Sequence, residues 1–415
     1  MIATLATALM TLAGSHAWLR AMLTDQNALT GSLYQASIYS RTVIAISYFN
    51  DGFVRRGLGG SIAALLSPDW VTSAVLFTLF STMWLATALA LILYRLGQRS
   101  DLSVPIYFAL VIILSPQTFL AWGIDIARTD MFVAGSIAWA VLATISGYRL
   151  CGVALLLVGF LGHETAVVFG APLLACINLH AYRTNILTRP MVATIMLILI
   201  VGLGALMAGQ ASLSAPPDLL VDHMLQSGPH RTDDNTLLSK QIATYMLVSG
   251  LRGVRTSICY NTDFDPRYAI NAMVCLLVAA LYGFILPVRS RSGFLASVIL
   301  PVCFMLLVAM DTGRWCQLAV LNAWLFAAAQ RLQPNVKAGP MPAAASLAGA
   351  TALLALLASG ITHYDTVNRL TSFASTHLGV PQHGPLEQWL TRCDPQWRAV
   401  LAPNTPGAIA GPGAP

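Results

Sequence analysis

The chain has 415 residues, of which 56% are hydrophobic and only 10% charged, and its mean hydropathy is +0.69. Soluble domains carry about a quarter charged residues, so a soluble globular domain is excluded and a polytopic membrane protein is expected. The formal net charge of +6 and pI near 9.0 do not signal a nucleic-acid binder, because the basic residues are scattered singly in short loops with no dense basic stripe.

A helix needs about 20 apolar residues to cross a hydrocarbon core ~30 Å thick. The runs 1–19, 70–94, 103–122, 131–147, 190–208, 269–287, 293–310, 315–330 and 342–359 are candidates, and the run 150–179 is too long for one ordinary span. No Lys or Arg precedes the first run and no clear small-residue cleavage site follows it, so a retained helix is expected there. Arg95, Arg99, Arg149, Arg183, Arg189, Arg289, Arg291, Arg331 and Lys337 fall in five short connections beside a single acid, Asp101. By the positive-inside rule these connections are cytoplasmic. With Arg149 and Arg183 on the same side, the 150–179 run has to leave and return, which predicts two short helices, about 150–162 and 165–179, with His163-Glu164 at the tip. At 1.5 Å per residue each arm is too short to cross comfortably, so the tip is expected below the external surface, lining a cavity.

The expected fold class is all-α: a polytopic integral membrane helical bundle of about 11 membrane helices, counting the hairpin as two, with the amino terminus inside. Residues 1–359 form the membrane domain, with external loops 20–69 and 209–268 that carry short helices such as 236–250. Residues 360–401 form an external C-terminal segment, and 402–415, made of Pro, Gly and Ala with little to bury, a disordered tail. There is no internal repeat. No two of the seven cysteines have Cys-x-x-Cys spacing. Cys259 and Cys393 both fall in external segments, where a disulfide can persist, and the sequence leaves their pairing open.

Four charged motifs stand out in a chain that uses charge sparingly. The first is Tyr48-Phe49-Asn50-Asp51-Gly52-Phe53-Val54-Arg55-Arg56-Gly57-Leu58-Gly59-Gly60. Its carboxylate can act as a base or bind a metal, and its arginines can hold phosphate through forked hydrogen bonds. The plainer reading is a loop whose arginines pair with nearby acids and whose glycines begin the next helix. The others are Asp125-Ile126-Ala127-Arg128-Thr129-Asp130, Asp311-Thr312-Gly313-Arg314-Trp315 and His163-Glu164. The last is an intramembrane ionisable pair, which points to function by default; the plain alternative is a buried His–Glu pair that fixes packing. On the expected topology all four lie at the external face. Asp51, Asp125, Asp130, His163 and Glu164 are therefore the candidate catalytic groups, and Arg55, Arg56, Arg128, Asp311 and Arg314 the candidate phosphate- or substrate-binding groups. The acids could also serve a divalent cation, and the sequence leaves any metal ligands unknown. A metalloprotease is excluded, because Val167 stands where a second His would follow His163-Glu164.

Asp51 in the long first external loop, with Asp125 or Asp130 between helices three and four, resembles the GT-C class of polytopic glycosyltransferases. The resemblance implies transfer of a sugar from a polyprenyl-phosphate-linked donor to a glycan or lipid-linked acceptor. It places the site at the periplasmic face of a bacterial inner membrane, with membrane lipid and no nucleic acid as partner. Asp51 is a lone acid after Asn50 where that class often has a double one, which leaves the metal open. The Arg-Arg-Gly stretch, together with an intramembrane His before an apolar helix ending in Pro172, also resembles Wzy-type and EpsG-type polysaccharide polymerases, which join lipid-diphosphate-linked repeat units. A lipid-linked glycan flippase or transporter is the third reading. The absence of a repeat and the gathering of charge at one face count against it.

Overall fold

The computed structural model describes residues 46–53, 56–67, 70–114, 129–213, 259, 266–308 and 312–333. Among these there is no strand. The helices are α1 (Tyr48–Asp51), α2 (Gly57–Leu66), α3 (Trp70–Arg99), α4 (Ser103–Leu114), α5 (Asp130–Ile145), α6 (Arg149–Gly162), α7 (Thr165–Arg183), α8 (Arg189–Leu213), α9 (Pro266–Ile285), α10 (Arg291–Phe294), α11 (Leu300–Val308) and α12 (Thr312–Leu332). A π-helical turn, Leu295–Ile299, joins α10 to α11. The expected helices at 1–19, 236–250 and 342–359, and the segments 360–401 and 402–415, lie outside the described residues.

Among the described residues three helices are long and apolar enough to cross a membrane: Thr72–Arg99, Thr165–Arg183 and Arg189–Gln210. The third has only 11% of its apolar window buried, so Leu197, Ile200 and Val201 present bare apolar surface. An apolar face of that extent on a water-soluble molecule would associate or aggregate; it is compatible with a helix that faces lipid.

α5 and α12 form the interior. Thirteen residues of α5 are buried, from Asp130 to Thr144, and α12 is enclosed from Trp315 to Leu332. α5 packs on α3, α6, α7 and α12. Its crossing with α3 is close because Gly135 has no side chain: a Cβ there would meet the Leu85 backbone nitrogen at 3.0 Å. Small residues at such crossings let van der Waals packing hold helices that gain nothing from further apolar burial in lipid. Interhelical hydrogen bonds add to it. Trp324 Nε1 donates to the Phe108 carbonyl (2.8 Å), Trp139 Nε1 to the Trp84 carbonyl (2.9 Å) and the Tyr107 hydroxyl to the Ile285 carbonyl (2.7 Å). Each contributes about 0.6 kcal/mol in a membrane setting.

The helix ends segregate. At one end Arg99 donates to the Leu332 carbonyl, Arg95 to Ser146 and Arg149 to Asn178, so the last turns of α3 and α12 and the turns between α5 and α6 gather there. At the other end Phe53 N donates to the Leu213 carbonyl at 3.1 Å, which ties the chain after α1 to the last turn of α8. α6 and α7 form the expected hairpin with His163-Glu164 between them. One expectation is corrected. α6 has 14 residues, ~21 Å, but α7 runs past 179 to Arg183, 19 residues or ~28 Å, and is itself long enough to span. The helix continues because Asn178 is satisfied in place: its Nδ2 donates to the Leu174 carbonyl (2.9 Å) while its Oδ1 accepts from Arg149.

If the two ends lie on opposite sides of a membrane, cysteines placed at Phe49 and Leu102, both well exposed, will react with an impermeant maleimide from opposite sides in a Cys151→Ala background. Reaction of both from the same side would refute the alternation of helix ends.

Candidate functional site

The site is built where α1 and α2 lie over the tip of the α6–α7 hairpin. Asp51 closes α1 on itself: its Oδ2 accepts from the Ser47 backbone N–H at 2.9 Å, and its own N–H donates to the Ser47 carbonyl at 3.0 Å. A carboxylate accepting at the first turn of a helix also sits favourably in the field of the helix end. It is 3% exposed. Tyr48 N–H donates to Ser61 Oγ (2.7 Å), which passes the bond to the Gly57 carbonyl (2.7 Å), so α1 is fastened to α2. The Tyr48 ring lies 5.2 Å from that of Phe53, and its hydroxyl makes a long 3.5 Å bond to the Leu161 carbonyl on α6. Burial pushes the Tyr48 phenol up to about 12.

Arg56 is the pivot. It stands at the N-cap of α2 with φ 63° and ψ 12°, the left-handed region that costs a non-glycine residue roughly 1–2 kcal/mol. From there its guanidinium reaches Glu164 with both prongs: Nε donates to Oε2 at 2.9 Å and Nη2 to Oε1. The Arg56 side chain is 9% exposed and that of Glu164 29%, so the pair is shielded and its forked geometry makes it strong. The strained backbone and the ion pair explain one another.

His163 and Glu164 are close without sharing a hydrogen bond, and Glu164 pairs with Arg56. His163 Nδ1 lies 3.6 Å from Glu164 Oε2, beyond hydrogen-bond range. Its nearer neighbours are Thr165 N–H at 3.2 Å and Thr165 Oγ1 at 3.0 Å. A backbone N–H can only donate, so Nδ1 keeps its lone pair, and the assignment that follows is a neutral imidazole with its proton on Nε2. The tip also does not stand open: His163 is 2% exposed, with Tyr48 and Arg56 covering the segment around it.

Asp130 opens α5 and is 4% exposed. Its neighbours draw it to the same end. A Cβ on Gly59 of α2 would come within 2.9 Å of Thr129 Cγ2, and one on Gly162 within 2.8 Å of the Phe132 ring, so the start of α5 is wedged between α2 and the end of α6. The glycines of the first motif thus serve helix packing. Trp315, in the first turn of α12, stacks on Phe169 of α7 with ring centroids 6.4 Å apart, which sets the backbone of Thr312, Gly313 and Arg314 near the start of α7. Asp51, Arg56, Asp130, His163 and Glu164 are therefore gathered at one end of the bundle. Arg55, Asp125, Arg128 and Asp311, and the side chain of Arg314, lie outside the described residues.

Ser61 and Thr165 belong to the site but carry no charge to mark them in sequence, and Tyr48, inside the first motif, has no role there that its neighbours' charge reveals. The available signal is adjacency, since Ser61 and Thr165 directly follow the first motif and the His163-Glu164 pair. Among the described residues no group of three or more His, Cys, Asp or Glu is placed to hold a metal ion. Cys259 is disulfide-bonded; Cys393 lies outside the described residues, and Cys151, Cys176, Cys275, Cys303 and Cys316 are free thiols.

No family model, curated protein or solved structure matches the chain.

Arg56→Gln and Glu164→Gln will each lower the thermal midpoint of the detergent-solubilised protein, and the double variant will lose less than the sum. The coupling expected for a contacting pair is ~0.5–3 kcal/mol, read from a double-mutant unfolding cycle. Strictly additive losses would show that the two residues do not act together.

Proposed function

We propose that this chain is a multi-pass membrane transferase that moves a sugar from a polyprenyl-phosphate-linked donor to a glycan or lipid-linked acceptor. The site is the α1–α2 end of the bundle, facing the periplasm, with the basic ends of the helices in the cytoplasm as the positive-inside rule requires. The observation that carries the reading is the forked pairing of a shielded Arg56 with Glu164 beside the buried Asp51 and Asp130. A guanidinium fork fits phosphate as it fits carboxylate, and bare apolar helix faces supply a path along which a polyprenyl tail can approach.

In this reading the lipid phosphate competes with Glu164 for Arg56. Asp51 accepts the proton of the acceptor hydroxyl as that oxygen bonds to the anomeric carbon. The bond from that carbon to the phosphate oxygen breaks, and the electron pair leaves with the lipid phosphate, whose growing charge Arg56 stabilises. Glu164, once displaced, and Asp130 orient the acceptor. His163, neutral with a proton on Nε2, is a hydrogen-bond donor rather than a base at this stage. A divalent cation is not required by any of these steps.

The polymerase reading has one observation in its favour. The Arg-Arg-Gly stretch and the His163-Glu164 stretch that carry that resemblance are joined directly by the Arg56–Glu164 pair. The two readings differ in donor, a monophosphate-linked sugar in one and a diphosphate-linked repeat unit in the other, and share the compartment.

Asp51→Asn keeps an oxygen for the Ser47 N–H and removes the base. It is expected to lower transfer from a polyprenyl-phosphate sugar by ~10²-fold or more with an unchanged thermal midpoint. Farnesyl phosphate, but not farnesol, is expected to raise the midpoint of the parent protein and leave that of Arg56→Gln unmoved. Near-normal transfer by Asp51→Asn removes the catalytic assignment, and equal shifts with both probes remove the phosphate site.

A further inference from the structure

A cavity with a mostly apolar lining and a few polar groups lies at the opposite, basic end of the bundle. It has a volume of about 250 Å³ and is enclosed by the last turns of α7 and α12 and by the chain that opens α10. Cys176, His180 and Arg183 line it from α7, and Phe326, Gln330 and Gln333 from the end of α12. Each trio is spaced i, i+4, i+7, which puts its members on one face of a helix or of its continuation. The cavity is thus framed by two helix faces whose last residues are polar or charged although the helices themselves are apolar.

Two of its polar atoms are enclosed and unsatisfied. Gln333 is 5% exposed, and its Oε1 has no hydrogen-bond partner. Its amide orientation is fixed, because Nε2 donates to the Ile177 carbonyl at 3.3 Å; turning the amide over would set two acceptors against one another. His180 Nε2 is likewise enclosed without a partner. By contrast Gln330 Oε1 is occupied by the Arg289 backbone N–H at 2.9 Å. Buried polar atoms left unpaired cost about 1–3 kcal/mol each, so the cavity is built for a group that can both donate to Gln333 Oε1 and bond to the imidazole. Arg183 is exposed at the mouth, and no carboxylate among the described residues pairs with it. Arg289 and Arg291 flank Ser290 on the same rim.

We infer that this cavity binds the phosphate of an anionic lipid headgroup that also carries a hydroxyl, of the glycerophosphate type. The phosphate sits between Arg183 and His180, the headgroup hydroxyl donates to Gln333 Oε1, and Phe326 with the apolar flank of α7 takes the first carbons of the lipid. Basic pockets between membrane helices on the cytoplasmic side are suited to such headgroups, because the charge of the leaflet and the desolvated pocket act together. The site is separate from the transferase centre proposed above, and its test reads binding without reading transfer.

The test uses the full chain in detergent, with phosphatidylglycerol or phosphatidylcholine added and the thermal midpoint and lipid-bound mass species recorded. Phosphatidylglycerol is expected to raise the midpoint and phosphatidylcholine to leave it nearly unmoved. Arg183→Gln, an exposed substitution, is expected to weaken phosphatidylglycerol binding ~10-fold or more, as loss of a charged hydrogen bond does, without changing the lipid-free midpoint. Gln333→Met should weaken it as well, and Arg189→Gln, an exposed cation that does not line the cavity, should leave it intact. Equal responses to the two lipids, or equal losses in Arg183→Gln and Arg189→Gln, overturn the inference. A shift with inorganic phosphate and none with phosphatidylglycerol assigns the cavity to a soluble phosphate and overturns the lipid.

Discussion

The forked ion pair between Arg56 and Glu164 is the interaction on which the upper end of the molecule depends. The other contacts between these helices and the hairpin include a long hydrogen bond from Tyr48 to the Leu161 carbonyl and the packing of α2 on α6. With the ion pair the left-handed backbone at Arg56 becomes tolerable, because the strain is offset by two charge-assisted bonds in a shielded setting. The same pair makes the end of the bundle responsive. A ligand phosphate is chemically a better-charged version of the Glu164 carboxylate, and displacing that carboxylate would release both a base and the tip of a helical hairpin. An ion pair of this kind contributes little net stability relative to an apolar substitute, which fits a role in poising the site.

Polarity inside the bundle follows a rule that the apolar surroundings impose. Every backbone group left without a helical partner has to find another. Pro172 interrupts α7 and the π-turn Leu295–Ile299 interrupts the α10–α11 segment, and a single buried side chain, Asn322, serves both neighbourhoods. Its amide donates to the Phe169 carbonyl at 2.8 Å and to the Ser297 carbonyl at 3.0 Å. A π-turn widens the helix and frees a carbonyl, so Asn322 binds the break in one helix to the bend in another. The result is a three-helix junction fixed by hydrogen bonds in a region where burial of apolar surface does not distinguish one packing from another.

Charge is partitioned between the two ends of the molecule. Asp51, Asp130 and Glu164 lie at the end where α1 and α2 cover the hairpin, and Arg95, Arg99, Arg149, Arg183, Arg289, Arg291 and Arg331 at the other. The partition gives each end a separate chemistry. Shielded carboxylates with a paired guanidinium suit proton transfer and phosphate binding, and a small cavity with Arg183 at its mouth suits an anionic headgroup.

Helix positions were largely legible in the sequence, because twenty-residue apolar runs and the Lys/Arg pattern of the intervening turns are local properties. The 150–179 run could be divided at His163-Glu164 for the same reason: two cationic turns have to lie on one side, and a polar dipeptide is the only place for the chain to reverse. The convergence of the Asp51, Asp130 and hairpin motifs on one end followed from counting helices. The partner of Glu164 was not legible. The Thr165 N–H occupies the neighbouring imidazole's lone pair, and only the packing of α2 over the hairpin brings Arg56, 108 positions away, within reach. The length of α7 was hidden in the same way, since Asn178 and His180 read as an end until Arg149 is seen to satisfy Asn178. Composition and local charge thus determined which segments are helices and which ends they share. Tertiary structure alone decided which charges are paired, because pairing depends on side chains meeting across helices, and no local pattern encodes that.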